Sequence, residues 1–136
     1  MELFNNSLWG YILIFIFAVL IGFLFNTYHV LLNKKVKNIN ADEAYELIKN
    51  NRDSVVLDVR YKEEYVDGHI GKAKNIPLNV LEIRISELGK YKDRPLIVYC
   101  ASGARSIRAV KILLKRNFNQ IYHLKGGLKG WDHPLK

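Results

Sequence analysis

Between Leu8 and Phe25 the chain reads LWGYILIFIFAVLIGFLF, eighteen residues without a charge. A helix that is apolar on every face has no polar side to turn to water, so it does not lie along a surface as an amphipathic helix does. At 1.5 Å per residue the run reaches roughly 27 Å, close to the thickness of a hydrocarbon core. The less pure continuation NTYHVLL carries it to Leu32 and leaves room for tilt. Trp9 and Tyr11 stand near one end and Tyr28 near the other, the arrangement of an aromatic belt. A cleaved leader needs a basic start, a shorter apolar stretch and a small-residue cleavage site. Here MELFNNS carries Glu2 and neither Lys nor Arg, and no A-x-A follows. The expectation is a short segment 1–7, a single transmembrane helix over 8–32 in contact with the lipid bilayer, and a basic juxtamembrane linker 33–37. Lys34, Lys35 and Lys37 follow the span and no basic residue precedes it, so the C-terminal part is expected in the cytoplasm. Each lysine adds about 1 kcal/mol of attraction to anionic headgroups.

The formal charge of +8 invites a search for nucleic-acid contacts. Beyond those three lysines the basic residues are scattered among acids, with no aromatics interleaved as on a binding platform, and no nucleic acid is expected. A single cysteine, Cys100, excludes an internal disulfide, a zinc site built from paired cysteines and a resolving thiol within the chain. A reducing cytoplasm suits a lone free thiol. The four histidines, His29, His69, His123 and His133, have no metal-ligand spacing, so neither a metal nor a cofactor is expected.

Residues 38–136 have the size of one domain, and their elements alternate. NADEAYELIKN (40–50) predicts a helix, with Asn40 as N-cap and Glu43 three residues on as a capping box. SVVLDV (54–59) predicts a buried strand, YKEEYVDGH a short helix ended by Gly68, and AKNIP (73–77) a brief strand. NVLEIRISELGKY predicts a helix with Val80, Ile83 and Leu88 inward and Gly89 as C-cap. PLIVYC (95–100) is the strongest strand signal. ARSIRAVKILLKRN (104–117) predicts an amphipathic helix with Ile107, Val110, Leu113 and Leu114 inward; QIYHL (120–124) a last strand; and GGLKGW a closing helical turn. Strands separated by helices imply parallel crossovers, an α/β domain, and a ligand site beyond the carboxyl ends of the strands.

Cys100 stands at such an end, followed by ASGARS. A lone cysteine at a strand end is more often packing than chemistry; here the context reverses that balance. The peptide N–H groups between the strand and a helix starting near Ala104 lack intrahelical partners. A curled loop of Ala101, Ser102, Gly103 and Ala104 aims them at the sulfur as an anion-binding nest. Gly103 permits the backbone conformation this requires, and Arg105 adds a positive charge in the first helical turn. Each feature favours thiolate over thiol. Ser106 either gives the sulfur a further hydrogen bond or is an ordinary helix-surface serine.

Three segments in order, LDVRYKEEYVDGHIGKAKNIP (57–77), YCASGARS (99–106) and KGGLKGW (125–131), resemble the motifs of the rhodanese (sulfurtransferase) domain family, a likeness covering nearly all of 38–136. The resemblance implies a three-layer α/β fold around a parallel sheet, behind one transmembrane helix. It further implies that Cys100 attacks the outer sulfur of a thiosulfate-like or persulfide donor, holds it as a persulfide cradled by the amides of residues 101–105, and passes it to a thiol, cyanide or a protein acceptor. Four residues separate Cys100 from Arg105, the loop of sulfur transferases; relatives acting on phosphate or arsenate have one more, which disfavours a phosphatase or arsenate reductase. Ala101 departs from the pattern, because active thiosulfate enzymes often carry a basic residue there. Arg108 would compensate only from a helix face turned to the pocket. The rival reading keeps the fold and cysteine as a membrane-tethered binding or sulfur-sensing module without turnover.

Asp58 and Arg60 close a predicted strand at the same edge of the sheet. Asp58 either pairs with Arg105 and holds the loop, or caps the following helix. Glu64 is either a carboxylate that supports the loop, as the resemblance implies, or an exposed helix residue. His69 is expected to bond the backbone, Gly126 and Gly127 to permit a tight turn and close backbone approach, and Trp131 to pack the end of the domain. Lys125 and Lys129 are either solvated charges or a weak anion-attracting rim.

Overall fold

The computed structural model describes the backbone of residues 2–136 and the side chains of residues 7–30 and 32–136. The chain divides into two compact units between Leu32 and Asn33. The first is helix α1 (Glu2–Leu31), 30 residues long. The segment expected as a separate 1–7 is therefore helical from Glu2 onward, and Met1 lies outside the described residues. Ser7–Val30 is long and apolar enough to cross a membrane by length and composition. Side chains along it, Leu13, Phe15, Phe17 and Phe25 among them, stand exposed.

The second unit is built on five parallel strands in the order β1-β5-β4-β2-β3. These are β1 (Val36–Ile39), β2 (Val55–Asp58), β3 (Lys74–Asn75), β4 (Leu96–Tyr99) and β5 (Ile121–Leu124). Helices flank the sheet: α2 (Ala41–Asn50), α3 (Lys62–Asp67), α4 (Leu78–Leu81) and α5 (Ala104–Lys115), with 3₁₀ turns at Ile85–Tyr91 and Gly127–Gly130. Strands β2 and β4 are buried along their whole length, which is why their sequences run apolar without alternation. Ile39, Val56, Ile97, Tyr99 and Leu124 from four strands meet Ala44 of α2 with Ile70 and Ala73 in the core. The capping box of α2 forms as expected, with Glu43 N–H donating to Asn40 Oδ1 and Asn40 N–H to Glu43 Oε2, each at 2.9 Å.

Three sequence expectations change. The stretch 33–37 is not all linker, because Val36 and Lys37 already belong to β1. The helix expected over 79–91 breaks into the single turn of α4 and the 3₁₀ segment. There Leu88 and Tyr91, three residues apart, are buried as a three-residue turn requires. Ile83 falls in the break at 83% exposure, and Gly89 sits inside the 3₁₀ segment rather than at a C-cap. On α5, Val110 and Leu113 are buried while Ile107 and Leu114 are half-buried.

Candidate active site

Cys100 leaves the end of β4, the central strand, and is 1% exposed. Gly103 occupies the N-cap of α5 with φ of +102°, a left-handed conformation that glycine adopts without strain. It brings no capping side chain, and the cysteine sulfur takes that place. Gly103 N–H donates to Sγ at 3.1 Å and Ser106 N–H at 3.4 Å. The Ser106 hydroxyl lies 3.5 Å from the same sulfur. Burial pushes the Cys100 thiol up, but the Ser106 hydroxyl and the N–H groups of Ser106, Ser102 and Gly103 pull it down further, and its pKa lies below the ordinary value.

The loop keeps its amides inward because its carbonyls are held from outside. Leu128 N–H donates to Cys100 O at 2.9 Å and Lys129 N–H to Ala101 O at 3.0 Å. Gly127, at φ of +61°, makes this approach possible: a Cβ there would stand 2.6 Å from Cys100 O and 2.7 Å from the Ala101 carbonyl. The turn after β5 thus shapes the loop after β4.

Arg105 does not pair with Asp58. Its Nη1 and Nη2 bind Glu64 Oε2 and Oε1 at 2.7 and 2.9 Å, and its guanidinium lies 5.5 Å from the Tyr61 ring centroid. Glu64 also accepts from Tyr61 N–H at 2.9 Å. The Arg105 guanidinium holds the Glu64 carboxyl down to about 2. The partner of Arg105 is therefore Glu64 and not Asp58, because α3 passes the start of α5 while Asp58 is sealed inside the sheet.

Asp58, 0% exposed, also does not cap α3, whose N-cap is Tyr61. It accepts from Arg60 Nη2 at 2.7 Å, from Arg60 N–H at 2.9 Å and from the Tyr99 hydroxyl at 2.7 Å. Arg60 Nη2 donates again to Gly68 O at 2.7 Å, and Ile70 N–H to the Tyr99 hydroxyl at 3.1 Å. Burial, together with Asp58, pushes the Tyr99 hydroxyl far above its ordinary pKa, so it remains a donor. This network ties β2, β4 and the 68–70 turn together beneath the loop without touching the sulfur.

The remaining candidates divide by environment. Ala101 and Arg105 are half-buried, Ser106 is buried, and Ser102, Ala104 and Arg108 are exposed, as are Lys125 and Lys129. The His69 ring stacks on Tyr65, with Nδ1 2.9 Å from Tyr65 O, the structural role expected of it. Trp131 packs on the core edge beside Tyr45, ring centroids 6.3 Å apart. Among the described residues, one potential metal cluster, Asp42, Asp132 and His133, has ligand atoms within 4.8 Å of one another. His133 there already bonds Asp42 at 2.9 Å and stacks on Tyr45.

Sequence reasoning missed His123 and Asn38. His123, 3% exposed, places Nε2 at 2.7 Å from Ser106 Oγ and Nδ1 at 3.0 Å from Asn38 Oδ1. The available signal was a histidine inside an otherwise apolar strand that ends at the glycine pair.

Comparison with known proteins agrees with this geometry. The Rhodanese-like domain family matches residues 40–133. YqhL of Bacillus subtilis (strain 168), an uncharacterized protein, is 35% identical over 125 residues, 92% of this chain and 94% of its own. The thiosulfate sulfurtransferase GlpE of Coxiella burnetii is 34% identical over 105 residues, 72% of this chain and 91% of its own. The crystal structure of a rhodanese-related protein from Thermoplasma volcanium superposes with a TM-score of 0.66 at 35% identity, covering 74% of this chain and 97% of that one. A five-stranded parallel sheet carrying a cysteine loop at its central strand, matched over 40–133, makes this chain a member of the rhodanese-like domain family, with an apolar helix ahead of the domain.

Proposed function

We propose that the protein is a membrane-anchored sulfurtransferase with Cys100 as nucleophile. The observation that carries this reading is a buried sulfur receiving the N–H groups of Gly103 and Ser106, in a loop with four residues between Cys100 and Arg105. The thiolate attacks the outer sulfur of the donor; the donor's S–S bond breaks, and its electron pair leaves with sulfite or with the donor thiolate. The persulfide's terminal sulfur then lies among the amides of residues 101–105, which stabilise its negative charge. An acceptor thiolate attacks that sulfur, and Cys100 departs as thiolate again.

Two features favour a persulfide over thiosulfate as donor. Ala101 offers no cation to a sulfonate, and the Arg105 charge is already met by Glu64. The length and composition of Ser7–Val30 support a lipid anchor, and Lys34, Lys35 and Lys37 beyond it support a cytoplasmic domain. Protease protection in sealed inverted vesicles tests that orientation, with digestion of the domain expected.

Mass spectrometry of the full chain after incubation with thiosulfate or a small persulfide tests the chemistry. One added sulfur atom is expected, absent from Cys100→Ser; a wild-type chain that never gains it refutes the reading. The 1% exposure of Cys100 favours a second reading, a sulfur-sensing or binding module without turnover. Release of the loaded sulfur to an added thiol separates the two: a sensor keeps it.

A further inference from the structure

His123 is a buried ring with both nitrogens engaged, as burial of an imidazole demands. In sheet register it faces Asn38 of β1 and Val98 of β4. A count of protons gives the line its direction. Asn38 Oδ1 has no proton to give, so Nδ1 carries one, and a neutral imidazole then offers a lone pair at Nε2. Ser106 Oγ lies 2.7 Å from Nε2 and 3.0 Å from Gly103 O, so its one hydroxyl proton has two acceptors in reach; when it is given to Nε2, an oxygen lone pair faces Cys100 Sγ at 3.5 Å. Every donor in the line then points from sulfur towards Asn38.

We propose that His123, held by Asn38, takes up the Cys100 proton through the Ser106 hydroxyl and so generates the thiolate. The Cys100 S–H bond breaks and its electron pair stays on sulfur. That proton bonds to Ser106 Oγ while the original hydroxyl proton moves to His123 Nε2, and nothing is oxidised or reduced. The reversed hydroxyl now donates to the thiolate, and both imidazolium N–H groups have acceptors, Ser106 Oγ and Asn38 Oδ1. The Gly103 carbonyl, 3.0 Å from Ser106 Oγ, competes with Nε2 for the hydroxyl proton. Of the charged groups at this end of the sheet, Arg105 is paired with Glu64 of α3 and Arg60 with Asp58 of β2, while Lys37 of β1 and Lys125 and Lys129 beyond β5 are exposed. Burial lowers the proton affinity of His123, partly opposed by Gly103. His123 is a positioning residue that acts through Ser106 and touches no substrate.

The inference rests on Cys100 as nucleophile, but its test reads the thiol and not sulfur transfer. The pH profile of Cys100 alkylation by iodoacetamide is measured on the full chain in detergent micelles. His123→Gln is expected to raise the apparent thiol pKa by about one unit and slow alkylation at pH 7 about tenfold. Ser106→Ala does the same, and Ser106→Thr restores most of the rate. An unchanged profile in His123→Gln overturns the proposal. If that variant does not fold, ¹⁵N resonances of the His123 ring in the wild-type chain give the answer. Alkylating Cys100 is expected to move the ring's titration to lower pH, because the thiolate partner is lost; an identical titration overturns the proposal. A chain that loads sulfur yet shows neither effect loses this role and keeps the proposed function, whereas one that shows the shifts but loads no sulfur does the reverse.

Discussion

Two arginine–carboxylate pairs stand at the same end of the sheet and differ in their access to water. The side chains of Asp58 and Arg60 are 0% and 6% exposed; those of Glu64 and Arg105 are 35% and 28% exposed. In the first pair the carboxylate and guanidinium are bonded to each other and to Tyr99 and Gly68 inside the protein. In the second, solvent screens the attraction and Arg105 stays within reach of an incoming anion. The first pair is framework and the second an adjustable clamp beside the loop.

The sharpest way to break this contrast is Asp58→Ala. It strands the Arg60 cation and removes the Tyr99 acceptor inside the sheet, and a loss of about 3–5 kcal/mol is expected in chemical denaturation. Tyr99→Phe follows, at about 1–3 kcal/mol, because Ile70 N–H then loses its acceptor in the core. Glu64→Gln comes last, at about 0–1 kcal/mol and shrinking further in high salt. Its effect is expected instead in a lower KM for thiosulfate, since Arg105 is released. Should Glu64→Gln cost as much stability as Asp58→Ala, the distinction between framework and clamp fails.

Acid sharpens the same comparison. The folded-state pKa of Glu64 is depressed from 4.5 to about 2, so its contribution to stability is fully present above about 4.5 and is lost as pH falls towards 2. The difference in stability between wild type and Glu64→Gln should therefore shrink across that window in acid denaturation curves.

What the sequence revealed follows from where each residue's constraint originates. Strands β2 and β4 were legible because burial on both faces leaves an unbroken apolar run. Strand β1 was not: it is an edge strand with Lys37 and Asn38 exposed, and its sequence reads as a basic linker. Val80, Ile83 and Leu88 imitate a helical stripe, but the chain breaks at Ile83 and resumes at a period of three. Cys100 to Ser106 was readable because loop and helix start are local. The partner of Arg105 lies 41 residues away, and Asn38 lies 85 residues from His123. Such pairings depend on which strands become neighbours, and no local pattern records that.

Gly127 carries a consequence for the proposed sulfur transfer. With the Cys100 and Ala101 carbonyls pinned by the neighbouring turn, the ring around the sulfur behaves as a socket and not as a jaw. Its ordering entropy is lost once, when the chain folds, and not at every encounter. Under the proposed transfer, donor and acceptor would therefore fit an aperture that is already cut. Selectivity between them would rest with Tyr61, Ser102 and Arg105 around it, over a floor common to both.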